Sequence, residues 1–400
     1  MSNGIIATKM SGFPPPEMGE PYLLTPGPLT TAAEVKHAML RDWGSWDGDF
    51  REMTAAMSKK LLAIANDKHN EFVCVPMQGS GTFSVEAMLG SFLPRESKTL
   101  VLINGAYGKR IVDTLNYLGR DYVVIDKGDY MPPRGEEVTS ALRADLAISH
   151  VVVVHCETSS GILNPVQEIS NAVYAEGRKL LVDSMSAFGA LPLDVNVTRY
   201  EAMVSSANKC IEGVPGFGFI IVRKTEIEAA QGRSHSLSLD VYHQWANFLK
   251  TGQWRFTPPT HVVAAFMKAL EMHENEGGAE GRLARYTKNR DVMVSGMREL
   301  GFETLLKDRW LSPIIVTFFN PDHPNFSFET FYSLMKSRGF IIYPGKLTVV
   351  DSFRIGCIGR MDENVMKQVV LAAKETLAEM NVDSARPPEA ALLERAKLAA

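Results

Sequence analysis

The sequence has no apolar run approaching the length of a membrane span, which argues against a helical membrane protein. It also has no basic excess. The 42 Lys and Arg residues are outnumbered by 46 Asp and Glu, and the resulting net charge of -4 leaves no positive field to hold nucleic acid. Cysteine is scarce and scattered. Cys74, Cys156, Cys210 and Cys357 offer no C-x-x-C pair, so neither a zinc site nor a thioredoxin motif is indicated. Three of the four lie in or beside apolar strand-like runs, where free cysteine behaves as a small hydrophobe. The first twenty residues lack the charged start and long apolar stretch of a secretory signal, and their prolines and glycines suggest a loose arm. These absences lead to the expectation of a reduced, cytoplasmic protein that binds neither membrane nor nucleic acid.

What is present is ordinary globular composition, 45% hydrophobic over 400 residues, enough for two domains with a sizeable core. From about residue 50 onward, short apolar runs alternate with helical patterns. The strand candidates are EFVCVP (71–76), KTLVLIN (98–104), DYVVID (121–126), HVVVVH (150–155), KLLVD (179–183), AMVSS (202–206) and GFIIVR (218–223). Several are apolar on both faces, as parallel strands covered by helices above and below must be. The pattern predicts an α/β domain with a mostly parallel seven-stranded sheet sandwiched by helices. After about residue 262 two long helical patterns appear, followed by short strands around one helix and a closing helix, which reads as a smaller α+β domain. The expected organisation is an N-terminal arm (1–30), a large domain (31–262), a small domain (263–382) and a C-terminal tail (383–400).

In open α/β sheets, sites form beyond the carboxyl ends of the strands. Gln78-Gly79-Ser80-Gly81-Thr82 follows the first strand and runs into a helix pattern. Backbone N–H groups, the positive end of the helix dipole and two hydroxyls would meet there as an anion cup, or the turn is a plain capped one. It is neither a Walker loop nor a dinucleotide fingerprint. Tyr107, between glycines after the second strand, could cover a planar ligand or serve as a core aromatic. Cys156-Glu157-Thr158-Ser159-Ser160 is a polar run closing a very apolar strand. His155 reads as packing rather than as a ligand. Asp183 ends a buried strand, where a carboxylate is costly unless something positive meets it. Lys209 follows the next strand, in SSANKCIEGVPGFGF. Taken together these are the parts that pyridoxal 5'-phosphate chemistry requires: an amine to bond the cofactor aldehyde, an acid to keep its ring nitrogen protonated, a helix N-terminus for its phosphate and an aromatic over its ring.

At this point the sequence resembles the fold-type I, class V aminotransferases over nearly its full length. The stretches that carry the resemblance include LLTPGPLTT (23–31), DWGSWDGDF (42–50), QGSGTFSVEA (78–87), NGAYGKR (104–110), HCETSSGILNP (155–165), VDSMSAFGALP (182–192), ANKCIEGVPGFGF (207–219), QWRFTPP (253–259) and FRIGCIG (353–359). DWGSWDGDF and ANKCIEGVPGFGF point to the phosphonate branch of the family. The resemblance implies that Lys209 bonds the cofactor and Asp183 partners its ring nitrogen. It implies that Ser80, Gly81 and Thr82 hold the cofactor phosphate, Tyr107 stacks on the ring and Thr158 contacts its hydroxyl. Thr257 would reach the cofactor of a neighbouring subunit, which implies a homodimer with active sites at the interface. Arg354 would bind substrate through a two-point fork. Ser159-Ser160 stand where the family often has threonines, and the tail is long.

The reaction implied is amino-group transfer from 2-aminoethylphosphonate to pyruvate, with Arg354 serving both anions. A serine– or alanine–glyoxylate aminotransferase is the alternative within the class. A cysteine desulfurase would need a reactive cysteine between residues 320 and 345, and none is there. A non-catalytic binding module would leave Lys209 and Asp183 unexplained.

Overall fold

The computed structural model describes residues 12–16, 19–346 and 350–398. Much of the expected N-terminal arm (1–11, 17 and 18) and the end of the tail (399–400) lie outside the described residues.

A seven-stranded sheet dominates the larger part of the chain. Its strands are β1 (Phe72–Gln78), β2 (Lys98–Ile103), β3 (Asp121–Asp126), β4 (Ile148–Val154), β5 (Lys179–Asp183), β6 (Ala202–Ser206) and β7 (Phe217–Arg223). Their order across the sheet is β1-β7-β6-β5-β4-β2-β3. Only β7 runs antiparallel to its neighbours, and it lies between β1 and β6. Two successive reversals restore the direction, so β1 ends on the same edge of the sheet as β2, β4, β5 and β6. That edge gathers the residues following each of these strands.

The strands form because their apolar side chains are needed on both faces. Along β4, Val151 and Val153 enter one core while Val152 and Val154 enter the other. Leu180 and Val182 of β5 divide from Leu181 in the same way. Period-two alternation between two buried faces explains a run that is apolar at every position. Helix α1 (Gly81–Phe92) buries Val85, Met88, Leu89 and Phe92 against the sheet, and helix α2 (Ala106–Tyr117) buries Ile111 and Leu115 on the same face. Helix α3 (Thr260–Asn275) buries Val263, Phe266 and Leu270 in the core on the opposite face.

A third core surrounds an antiparallel three-stranded sheet, β8 (Ile315–Phe319), β9 (Tyr343–Pro344) and β10 (Ser352–Gly356), with β10 in the middle. Helix α4 (Gly278–Glu299) adds Met293 and Met297 to it. The chain near the N-terminus also joins this core. Tyr22–Leu23 pairs in parallel with Phe340–Ile341, and Tyr22 and Leu24 are buried there. The segment that follows, Thr25 to Leu29, thus passes between the two sheets.

Candidate active site

The edge formed by the strand ends opens into a cavity lined by Gly81, Thr82, Tyr107, Thr158, Asp183 and Lys209, among others. The carboxyl ends of four strands, β1, β2, β4 and β5, supply these side chains, together with Lys209 from the turn between β6 and β7.

Asp183 is the last residue of β5. It is buried, and its carboxylate accepts a hydrogen bond from the Met185 N–H at 2.9 Å. No described cation lies within ion-pair distance of it. Burial pushes the carboxyl up from 3.8 to about 6, with the nearby Glu157 adding to the rise. Lys209 lines the same cavity. Its Nζ donates to the carbonyls of Pro26 and Gly27 at 3.0 and 3.1 Å, so the segment from the N-terminal side forms one wall of the lysine's slot. Gly27 is required there. At its φ of 116° a Cβ would lie 2.7 Å from Lys209 Cδ and 2.8 Å from Nζ. Burial lowers the Lys209 amine from 10.5 to about 8, and the charges of Arg110 and Lys346 lower it further against the pull of Asp183.

Ser80 is the N-cap of α1, in extended conformation, and its side chain makes no cap hydrogen bond. Among the described residues no side chain accepts from the N–H groups of Gly81, Thr82 or Phe83. The helix therefore presents unfilled donors and its positive dipole end at the cavity wall. Tyr107 opens α2, with Arg110 Cζ 4.9 Å and Lys346 Nζ 4.7 Å from its ring centroid. Thr158 is buried with its side chain at the cavity, and its carbonyl accepts from Arg354 Nη1 at 2.9 Å. Arg354, on β10 and opposite Tyr343, also donates from Nε to the Pro344 carbonyl at 3.0 Å. It is buried and does not line the cavity directly; it stands behind Thr158. Thr257 is exposed and outside the cavity. Gln78 Nε2 donates to the carbonyls of Phe256 and Thr257 at 2.9 and 3.3 Å, which holds that loop beside the mouth. His155 is buried, its ring Nδ1 lies 3.1 Å from Ser184 Oγ, and burial lowers its pKa to about 4.

Three features escaped the reading of the sequence. Glu157 is fully buried, and its carboxylate accepts from the N–H groups of Tyr107 (3.0 Å), Gly108 (3.1 Å) and Ser159 (3.2 Å). It caps α2 from another loop and so fixes Tyr107. Arg110 lines the cavity beside Thr82, with Nη1 3.4 Å from the Thr82 hydroxyl. Lys346 reaches the Tyr107 ring from the small sheet. Arg110 and Lys346 adjoin residues already singled out, and their basic character was the available signal.

The site residues fit pyridoxal 5'-phosphate on the structure's own terms. A buried carboxyl without a cationic partner suits a protonated ring nitrogen, an amine of lowered pKa faces the same cavity, and a helix start with free donors suits a phosphate. A family model described as "Aminotransferase class-V" matches residues 109–346.

This chain belongs to the class V aminotransferases.

Curated relatives agree with that placement. The chain is 75% identical over 383 residues, 96% of this chain and 100% of the relative, to a 2-aminoethylphosphonate–pyruvate transaminase of Rhizobium meliloti (strain 1021). It is 67% identical over 384 residues, 96% of this chain and 99% of the relative, to 2-aminoethylphosphonate–pyruvate transaminase 1 of Paraburkholderia xenovorans (strain LB400). Among solved structures, pyridoxamine–pyruvate aminotransferase from Mesorhizobium loti superposes with a TM-score of 0.83 at 22% identity, covering 96% of this chain and 100% of its own. The fold is therefore that of the fold-type I aminotransferases, as the resemblance implied, and its mostly parallel sheet flanked by helices is the one the strand pattern led us to expect.

Proposed function

We propose that this chain transfers the amino group of 2-aminoethylphosphonate to pyruvate, giving phosphonoacetaldehyde and L-alanine, with pyridoxal 5'-phosphate as cofactor. The observation that carries the reading is 75% identity, over essentially the full length of both chains, to a transaminase named for these two substrates. Serine– or alanine–glyoxylate transamination has no support from the two relatives just described.

Pyridoxal 5'-phosphate, when bound, supplies an aldehyde to take up the amino group and a protonated ring to accept the electrons of the neighbouring C–H bond. Ser80, Gly81 and Thr82 hold its phosphate on the donors of α1, and Arg110 adds a positive charge on the same side. Asp183 holds a proton on the ring nitrogen, Thr158 meets the ring hydroxyl and Tyr107 covers a face. Lys209 removes the proton from the substrate carbon that bears nitrogen and later returns one as an acid. A pKa near 8 leaves an appreciable neutral fraction for the first step. Arg354, held by two backbone carbonyls behind Thr158, has no described partner for Nη2, and in this reading that end of the guanidinium meets the substrate anion when substrate enters, the phosphonate in one half-reaction and the carboxylate in the other.

The protein acts as a homodimer in this reading, with Thr257 serving the neighbouring subunit's cofactor. Support comes from the position of Thr257 on the surface beside the mouth, and from the apolar side chains exposed around that region, Phe83 at 53% and Phe256 at 41%. The separate apolar core around the three-stranded sheet supports a small domain beside the large one. No helix among the described residues is long and apolar enough to cross a membrane.

The test is turnover of the purified, cofactor-loaded protein with 2-aminoethylphosphonate and pyruvate, with alanine and the aldehyde both measured. Controls replace the donor with alanine or serine and the acceptor with glyoxylate. Activity confined to the controls would overturn the proposal.

A further inference from the structure

One substrate site has to accept two different anions, and this inference rests on the reaction proposed above. A carboxylate has two oxygens in a plane and one charge. A phosphonate has three oxygens in a tetrahedron and can carry two. Arg354 matches the first. Its Nε and one hydrogen of Nη1 are taken by the carbonyls of Pro344 and Thr158, which leaves a single planar fork edge. A third oxygen and a second charge need another donor.

Lys346 is the cation available for that role. It follows Pro344-Gly345 directly, and the Gly345 N–H donates to the Ser352 carbonyl at 2.8 Å, so the backbone just before Lys346 is still paired with β10, the strand of Arg354. Its Nζ lies 4.7 Å from the centroid of the Tyr107 ring, the aromatic at the cavity wall. Among the described residues no carboxylate lies within ion-pair distance of it. After burial, the charges of Arg110 and Arg354 are the next causes lowering its pKa, and Glu157 works against them. An exposed lysine that feels two arginines has only the Tyr107 ring face and the more distant Glu157 to offset their repulsion, and neither is a hydrogen-bonded partner. An anion with two charges would satisfy it.

We propose that Lys346 is the residue that distinguishes phosphonate from carboxylate in this site: it takes the third phosphonate oxygen while Arg354 takes the other two. Arg110, beside Thr82, belongs to the cofactor phosphate and not to this pair. Pyruvate and alanine use Arg354 alone.

The test compares wild type with Lys346→Met and Lys346→Arg, all cofactor-loaded. Binding of ethylphosphonate and propionate, which have no amine and cannot react, is measured by calorimetry in buffer alkaline enough for the phosphonate to be a dianion. Single-turnover rates are measured separately with 2-aminoethylphosphonate and with alanine. Loss of one charge-assisted contact should weaken ethylphosphonate on the order of 10- to 100-fold in Lys346→Met. Propionate binding should change by less than about threefold, the single-turnover rate at limiting substrate should fall more for 2-aminoethylphosphonate than for alanine, and Lys346→Arg should restore most of the phosphonate affinity. If ethylphosphonate binds Lys346→Met as tightly as wild type, or both anions weaken alike, while wild type still turns over 2-aminoethylphosphonate, the inference fails and the proposed function stands. A wild type inert to the aminophosphonate and unable to bind ethylphosphonate removes both.

Discussion

Replacing Glu212 by Gln tests whether a buried charge network braces the active site. Glu212 lies three residues after Lys209 and is buried. Its Oε1 accepts from Arg285 Nη2 at 2.8 Å and from the Tyr286 hydroxyl at 2.6 Å, with Arg282 Nη1 3.5 Å away. Arg282 also donates to the Cys210 carbonyl, and Arg285 donates to the carbonyls of Gly359 and Met361 just beyond Arg354. The network therefore ties the lysine's loop to the arginine's strand. Burial alone would raise the Glu212 carboxyl, but the two guanidinium groups outweigh it and hold the group at about 2 instead of 4.5. A carboxyl depressed by that much contributes about 3 kcal/mol at neutral pH. The independent expectation for removing one member of a buried ion pair is ~3–5 kcal/mol, so the two routes agree in size. The sign follows from the depressed value: the stabilisation is fully present above the unfolded pKa and is lost as pH falls from about 5 toward 2. Glu212→Gln should therefore unfold at lower urea concentration at pH 7, with a smaller deficit at about pH 4, and its turnover should drop because both loops loosen. A variant within about 0.5 kcal/mol of wild type at pH 7 would refute the argument.

Other outcomes follow from the same geometry. Lys209→Ala should lose the visible absorption band of the lysine-bound cofactor along with measurable turnover, and normal turnover would remove Lys209 from its role. Asp183 carries the opposite sign to Glu212: its raised carboxyl costs nothing below about 4 and ~3 kcal/mol once pH exceeds about 6. Cofactor-free Asp183→Asn should accordingly be more stable than wild type at about pH 8 and similar near pH 4, while the loaded enzyme loses turnover; equal denaturant midpoints at the higher pH would contradict this. Gly27→Ala should place a methyl group against the Lys209 side chain at a φ that disfavours alanine, costing ~1–3 kcal/mol by thermal melting and slowing turnover. Wild-type rates in that variant would mean that the lysine does not need its present slot.

The strands and the two central site residues were legible in the sequence for one physical reason. Burial on both faces of a sheet demands apolar residues at every position, so runs such as HVVVVH announce themselves, and a charge at the end of such a run, Asp183 or Lys209, stands out as a costly placement that needs a purpose. Strand direction leaves no such mark. β7 has the same apolar texture as its neighbours, and only the paired backbone makes it antiparallel. Tertiary structure also decided what surrounds the pair. Glu157 caps a helix that begins about fifty residues earlier, Arg282 and Arg285 grip carbonyls more than seventy positions away, and Lys346 meets Tyr107 from another sheet. In the sequence Arg282, Arg285 and Lys346 read as ordinary surface charges, and Glu157 as one member of a polar run. A charged side chain takes its meaning from the partners and the dielectric that the fold brings to it, and neither is written in its local neighbours.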